Sequence, residues 1–199
     1  MDKVAALTEI AQDLLRTLDA PLLEFRTSQG NQVVIGDGKP DAEIMFIGEA
    51  PGYHEAKQGK PFVGASGAFL DELLRSVGLL RQDIFITNIL KDRPPDNRAP
   101  RKPEITFYTP YLDRQIEIIQ PRIIVTLGRF AMEYILKKFD AAEKDGKISA
   151  LHGQILTAQA PYGVIQIIPL FHPAVALYDE SKRQTLIDDF LTLKSVVHT

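Results

Sequence analysis

Glu49, Glu55 and Phe62 lie within one glycine-rich stretch, residues 43–67, while Asn88 and His172 lie far from it along the chain. The stretch opens with an apolar run, Ile44 to Ile47, that suits a short buried strand and stops at Gly48. Residues 48–67 then hold five glycines and two prolines. A connection of that length between packed elements is uncommon and is usually functional. An amide beside an aromatic plane suits a flat heterocycle with a donor–acceptor edge, such as a nucleobase. A neutral imidazole donating to an oxygen suits a leaving group that gains negative charge, and a carboxylate can orient water beside a developing cation.

The elements that must position these groups follow from periodicity. Residues 2–18 read as a helix with an apolar stripe through Val4, Leu7, Ile10, Leu14 and Leu18, ended by Pro21. Residues 33–35 read as a short strand of an arm closed by Gly36, Asp37 and Gly38. A helix is expected over 66–77, with Gly78 after its end, and a buried strand over 84–90 that carries Asn88. Asn88 either satisfies a neighbouring backbone group or serves as a paired donor and acceptor on a rigid element. Pro103 suits the start of a helix running to about 120 and kinked at Pro110. Residues 122–128 read as a third strand and 164–171 as a fourth, ending at His172. Residues 137–154 read as a polar surface excursion, and residues 181–196 as a last amphipathic helix.

Four apolar strands separated by helices imply an α/β domain with a four-stranded parallel sheet and helices on both faces. We expect one domain over 1–199, with an N-terminal helix and arm to residue 40 and a core from 41. In such a sheet, ligands bind outside the carboxyl ends of the strands. Gly48-Glu49, Asn88, Gly128 and His172 all fall at such ends.

Composition narrows the chemistry. The chain has 199 residues, 45% of them hydrophobic and 25% charged, with a net charge of −3 and no cysteine. That excludes disulfides, thiol nucleophiles and cysteine-ligated metal sites. Four histidines show no metal-binding spacing, and no Gly-x-Ser-x-Gly elbow or P-loop is present. No apolar run suits a membrane span and the start lacks the pattern of a signal peptide, so a cytoplasmic protein is expected. The overall charge does not suit a nucleic-acid binder, but residues 91–102 carry five cations (Lys91, Arg93, Arg98, Arg101, Lys102) against two anions. Three prolines keep this segment extended. It reads either as a solvated loop or as a phosphate-contacting one.

Gly48-Glu49-Ala50-Pro51-Gly52, Gly59-Lys60-Pro61-Phe62-Val63-Gly64, Thr87-Asn88 with Lys91-x-Arg93-Pro94-Pro95-x-Asn97-Arg98, and His172-Pro173-Ala174 together resemble the family 4 uracil-DNA glycosylases, in order and spacing over residues 33–195. The resemblance implies a three-layer α/β/α fold and hydrolysis of the uracil N-glycosidic bond in single- or double-stranded DNA by a monomer that flips the nucleotide out. It implies Phe62 as the stacking plane, Asn88 on the Watson–Crick edge, Glu55 near C5, and His172 as donor to O2. Glu49 would orient water or stabilise the sugar cation, and Ala50 stands where some other glycosylase families place an acid. Lys91, Arg93, Arg98, Arg101 and Lys102, with Lys182 and Arg183, would hold the DNA backbone, and Leu177 would wedge the gap. The family typically carries a four-iron–four-sulfur cluster on cysteines. Here two of the ligand positions are Asp92 and Tyr108, and a gap-free count puts the other pair at Pro21 and Glu24. No cluster is expected, and Tyr108, Leu22, Leu23 and Phe25 are expected to fill its place with apolar contacts. The alternatives are a uracil-DNA-binding module that has lost catalysis, a glycosylase with shifted preference among deaminated bases, and a small-nucleotide hydrolase.

Overall fold

The computed structural model describes residues 2–197. Helix α1 (Lys3–Arg16) starts at Asp2, whose carboxylate accepts from the Val4 and Ala5 N–H groups. Ile10 and Leu14 are buried, whereas Val4 and Leu18 of the expected stripe face solvent. There follow α2 (Leu23–Ser28), β1 (Asp37–Gly38), β2 (Ile44–Gly48), α3 (Tyr53–Gln58), α4 (Ala65–Ser76), β3 (Phe85–Asn88), α5 (Lys102–Ile119), β4 (Ile123–Leu127), α6 (Arg129–Lys138), α7 (Ile148–Leu151), β5 (Leu156–Ala160), β6 (Gly163–Leu170) and α8 (Glu180–Val197). None of the described helices is long and apolar enough to cross a membrane.

The sheet has six strands in the order β1-β3-β2-β4-β6-β5, rather than the four expected. Its parallel core is β3-β2-β4-β6, and β1 and β5 add antiparallel edges. Residues 33–35 are not a strand. The arm there is held by loop and side-chain bonds instead: the Val34 N–H donates to the Lys91 carbonyl at 2.8 Å, and the Thr87 hydroxyl donates to the Ile35 carbonyl at 2.6 Å. The ladder forms two residues later, where Asp37 pairs with Ile86.

Alternate residues of the buried strands enter two separate cores. Met45, Ile47 and Ile124 pack with Leu14 of α1, with Leu112 and Ile116 of α5, and with Met132 and Ile135 of α6. Ile44, Phe46 and Val125 pack with Leu70 and Leu73 of α4 and with Leu186 and Phe190 of α8. The result is a three-layer α/β/α sandwich. From β2 the chain leaves to one side, to β3, and from β4 it leaves to the other, to β6. The carboxyl ends of β2 and β4 therefore flank the point where strand order reverses, where a ligand crevice opens in such sheets.

Between the arm and the basic loop lies a polar cluster where apolar filling was expected. The buried Asp92 carboxylate accepts from Arg26 Nη1 at 3.0 and 3.2 Å and from the Tyr108 hydroxyl at 2.6 Å. Burial pushes the Asp92 carboxyl above its usual range, while both donors pull it back. An arginine and a phenol already satisfy this carboxylate, and Pro21 and Glu24 are exposed, so these positions do not suit an iron–sulfur cluster. The cluster of side chains ties α2, the loop after β3 and α5 into one unit. Removing the carboxylate leaves a buried cation unpaired, which typically costs 3–5 kcal/mol. Asp92→Ala is thus expected to lower stability by about 3 kcal/mol or more in denaturant unfolding, and Tyr108→Phe by about 2 kcal/mol. Losses below about 1 kcal/mol in both would show that the cluster is not a structural tie.

Candidate active site

One cavity of about 370 Å³ opens at the carboxyl ends of the parallel strands, lined among others by Glu49, Ala50, Glu55, Phe62, Asn88 and His172. It is built around Gly48, the last residue of β2, which pairs in register with Asn88, the last residue of β3. A Cβ on Gly48 would lie 2.4 Å from Asn88 Oδ1 and 2.6 Å from Phe62 Cζ. The missing side chain therefore lets the ring and the amide converge at one strand end. Phe62 adopts a left-handed backbone (φ 51°), an uncommon and costly state for an aromatic residue. It is locked there by α4, because a Cβ on Gly67 would fall 1.9 Å from the Phe62 carbonyl oxygen.

Glu55 explains how the loop keeps its shape. It sits in the first turn of α3, a helix inside the stretch expected to be irregular, and Gly59 ends that helix in a left-handed cap. The buried Glu55 carboxylate accepts from the Val63 N–H at 3.0 Å and the Gly64 N–H at 2.9 Å. It thereby fixes the segment that carries Phe62, while also facing the cavity. His54, its neighbour, is exposed.

His172 follows β6 and caps a short 3-10 turn, Pro173–Leu177. Its Nδ1 accepts the Ala174 N–H at 3.1 Å, so the proton of the neutral ring resides on Nε2. The ring lies 5.6 Å from that of Phe62 at an interplanar angle of 26°. Burial pulls the imidazole down to about 4, against a smaller opposing pull from the Glu55 carboxylate. The site thus presents a neutral donor rather than a cation. Glu49, on the opposite strand end, is half-buried, and desolvation raises its carboxyl above the usual range while Arg129 draws it back.

Asn88 is 1% exposed, and its Oδ1 is buried with no hydrogen-bond partner among the described residues. Leaving such an acceptor unmatched costs about 1–3 kcal/mol, so it is a strong demand for a donor at the cavity. The bland reading of Asn88, satisfying a neighbouring backbone group with Oδ1, does not hold.

The basic loop divides. Arg101 and Lys102 are exposed, and Arg93 lies over the Tyr53 ring at 5.3 Å with its Nε donating to Asn97. Arg98 lines the cavity mouth and bonds Glu104 at 2.9 Å. Lys91 is the exception. It is fully buried, its ammonium donating to the Thr87 hydroxyl, the Asn88 carbonyl and Gln115 Oε1, so the expected contact with a DNA phosphate is sterically closed to it. Beyond His172, Lys182 lies 4.3 Å over Phe171, and Arg183 stacks on Phe69 and bonds Glu72. Leu177 is 41% exposed at the end of its turn. Ser66, Pro94 and Asn97 also line the cavity. Ser66 stands in the first turn of a helix whose start the sequence marks, but nothing in its spacing singles it out.

With a folded-state value near 4 and an ordinary one of 6.5, His172 binds its proton more readily in the unfolded chain. Its contribution to stability is therefore complete above about pH 6.5 and falls as pH drops toward 4. An NMR titration of the imidazole is expected to give a midpoint near 4, with denaturant stability declining across the same window. A midpoint near 6.5 would contradict the geometry.

A sequence model of the Uracil DNA glycosylase superfamily matches residues 35–192. A type-4 uracil-DNA glycosylase of Sulfurisphaera tokodaii is 43% identical over 98% of this chain and 86% of its own length. Type-4 enzymes of Archaeoglobus fulgidus and Thermotoga maritima are 40% and 38% identical, over 93% and 96% of this chain and 90% and 95% of theirs. A family model over most of the chain, and type-4 relatives 38–43% identical over nearly all of it, place this protein in the uracil DNA glycosylase superfamily, with the type-4 uracil-DNA glycosylases.

Proposed function

We propose that this protein hydrolyses the N-glycosidic bond of deoxyuridine in DNA, releasing uracil and leaving an abasic site. The observation that carries the reading is the partnerless Asn88 Oδ1 at a strand end beside the Phe62 ring. Uracil supplies what that amide lacks: its N3–H donates to Oδ1 while its O4 accepts from Nδ2. Cytosine offers the reverse pattern, an exocyclic donor and a bare N3, and would leave both amide groups opposed. A site built on such bonds discriminates by about 10⁴-fold or more.

His172 donates from Nε2 to O2 as charge moves onto the departing base. Being neutral, it stabilises an anion by a hydrogen bond and does not need to transfer a proton. Glu49 orients water or faces the cationic sugar, and its raised carboxyl suits a base. Ala50 leaves room beside it. Glu55 stands where the C5 methyl of thymine would come, held in place by the backbone amides it binds. The exposed cations Arg101 and Lys102, with the half-buried Arg93 and Lys182, take the phosphates, and Leu177 takes the wedge position. The substrate is single- or double-stranded DNA with the nucleotide flipped out. No iron–sulfur cluster is required, because the Arg26–Asp92–Tyr108 contacts hold the corresponding region. The same reading has the protein act as a monomer in the cytoplasm.

The test is strand excision with alkali on single-stranded and U·G duplex substrates. Wild-type protein is expected to leave alkali-labile sites. Asn88→Ala and His172→Ala are each expected to lower the single-turnover rate by about 10²–10³-fold, as loss of one such donor does elsewhere. Binding of uracil-containing DNA with no cleavage at stoichiometric protein would select the binding-module reading instead.

A further inference from the structure

Lys91 is a costly residue whose cost the proposed chemistry leaves unexplained. Its ammonium is fully buried, and the four oxygens around it are neutral: Gln115 Oε1 at 2.6 Å, Thr87 Oγ1 and the Asn88 carbonyl at 2.7 Å, and the Ile35 carbonyl at 3.5 Å. The neighbouring carboxylate, Asp92, is engaged by Arg26 and Tyr108. Taking a cation out of water costs several kcal/mol, and here no contacting carboxylate offsets it. Burial accordingly holds the Lys91 amine well below its ordinary value.

The strand pattern shows what the ammonium does. On the β1 side of β3 the Lys39 N–H donates to the Ile84 carbonyl, and on the β2 side the Ile89 N–H donates to the Gly48 carbonyl. Backbone groups along a strand alternate sides, so Asn88 turns its own with Ile84, away from β2 and toward the β1 edge. But β1 stops short: its register with β3 covers only Phe85 and Ile86. Among the described residues no strand lies beside Thr87 and Asn88 on that side, and Asn88 is almost wholly shielded from water.

Three neutral acceptors on β3 and α5 converge where that strand is missing, and lysine alone carries three donors on a single atom. Gln115 completes the plug, its Nε2 donating to the Ile35 carbonyl at 2.8 Å. We propose that Lys91 is a positioning residue: it stands in for the missing strand, holds the main chain of Asn88 against α5 and the arm, and so sets the aim of the amide that reads the base edge. This rests on the glycosylase reading above, since it assigns Lys91 a role through Asn88. Misplacing a reacting or recognising group by about an ångström costs up to about 10²-fold, which sets the size of effect to look for.

The experiment is a double-mutant cycle in single-turnover uracil release from single-stranded DNA, with Lys91→Met, Asn88→Ala and the double variant, each checked by thermal unfolding. Lys91→Met is expected to lower the rate about 10–100-fold in the wild-type background and less than about threefold once Asn88 is alanine. The same factor in both backgrounds would mean that Lys91 supports the fold generally and would overturn the proposal. Should Lys91→Met fail to fold, Thr87→Val removes one acceptor at nearly constant volume. It is read in the same cycle, with a smaller expected drop of about three- to tenfold that again vanishes beside Asn88→Ala. No uracil release by the wild-type protein would overturn this proposal together with the reading beneath it, whereas release with additive factors overturns this proposal alone.

Discussion

The absence of a side chain at Gly48 is the constraint on which the site depends. Strand β2 ends where an aromatic ring from the following loop and an amide from the next strand must both approach its backbone. Even a methyl group would meet Asn88 Oδ1 and the Phe62 ring at 2.4–2.6 Å, far inside van der Waals contact. A second close approach, Gly67 against the Phe62 carbonyl, holds the ring from the other end. Between the two glycines the chain has little freedom. Phe62 takes a left-handed backbone there, and Glu55 binds the amides that follow it. The strain is sustained because the surroundings over-determine it, as is usual at functional sites.

The loop after β3 shows a second economy. Two residues near its start, Lys91 and Asp92, both turn inward, but to different partners. Lys91 reaches back to β3 and to Gln115 of α5, while Asp92 reaches Arg26 and Tyr108. Arg101 and Lys102, at the far end, are free to face solvent. Buried polar contacts therefore fix where the loop begins, and a 3-10 turn over Pro95–Asn97, with Asp96 and Asn97 in left-handed backbone, shapes the rest that was expected to be extended. A phosphate-contacting loop needs both properties, since its cations must be presented in one place without collapsing onto the protein.

The parallel core of the fold was legible because buried strands and amphipathic helices leave strong periodic signals. The convergence of Glu49, Asn88 and His172 followed from where those strands end. The edges were not legible, for reasons that differ. Strand β5 alternates Leu156, Ala158 and Ala160 with Thr157 and Gln159, a pattern too short and too polar to stand out beside the apolar run of β6. Strand β1 is two residues, Asp37 and Gly38, that read as a turn. Helix α3 is masked by flanking glycines. Lys91 was misread because a run of charges has no visible inside. Only the three-dimensional placement of Thr87, Gln115 and the arm shows that its first member is buried. The Asp92–Tyr108 contact is hidden in the same way, since sixteen residues separate its members.

The protonation states of the cavity fit together. His172 is held neutral by burial, and the Ala174 N–H selects the tautomer that leaves Nε2–H as donor. Glu49 is pushed toward protonation by burial, but Arg129 pulls it back toward the charged form. Under the proposed chemistry, a neutral donor on one side and a carboxylate on the other would keep the two charges of a dissociating glycosidic bond apart, the anion at His172 and the cation at Glu49. On that reading the cavity would be polarised along the bond it breaks, by groups that follow two different strands, β2 and β6.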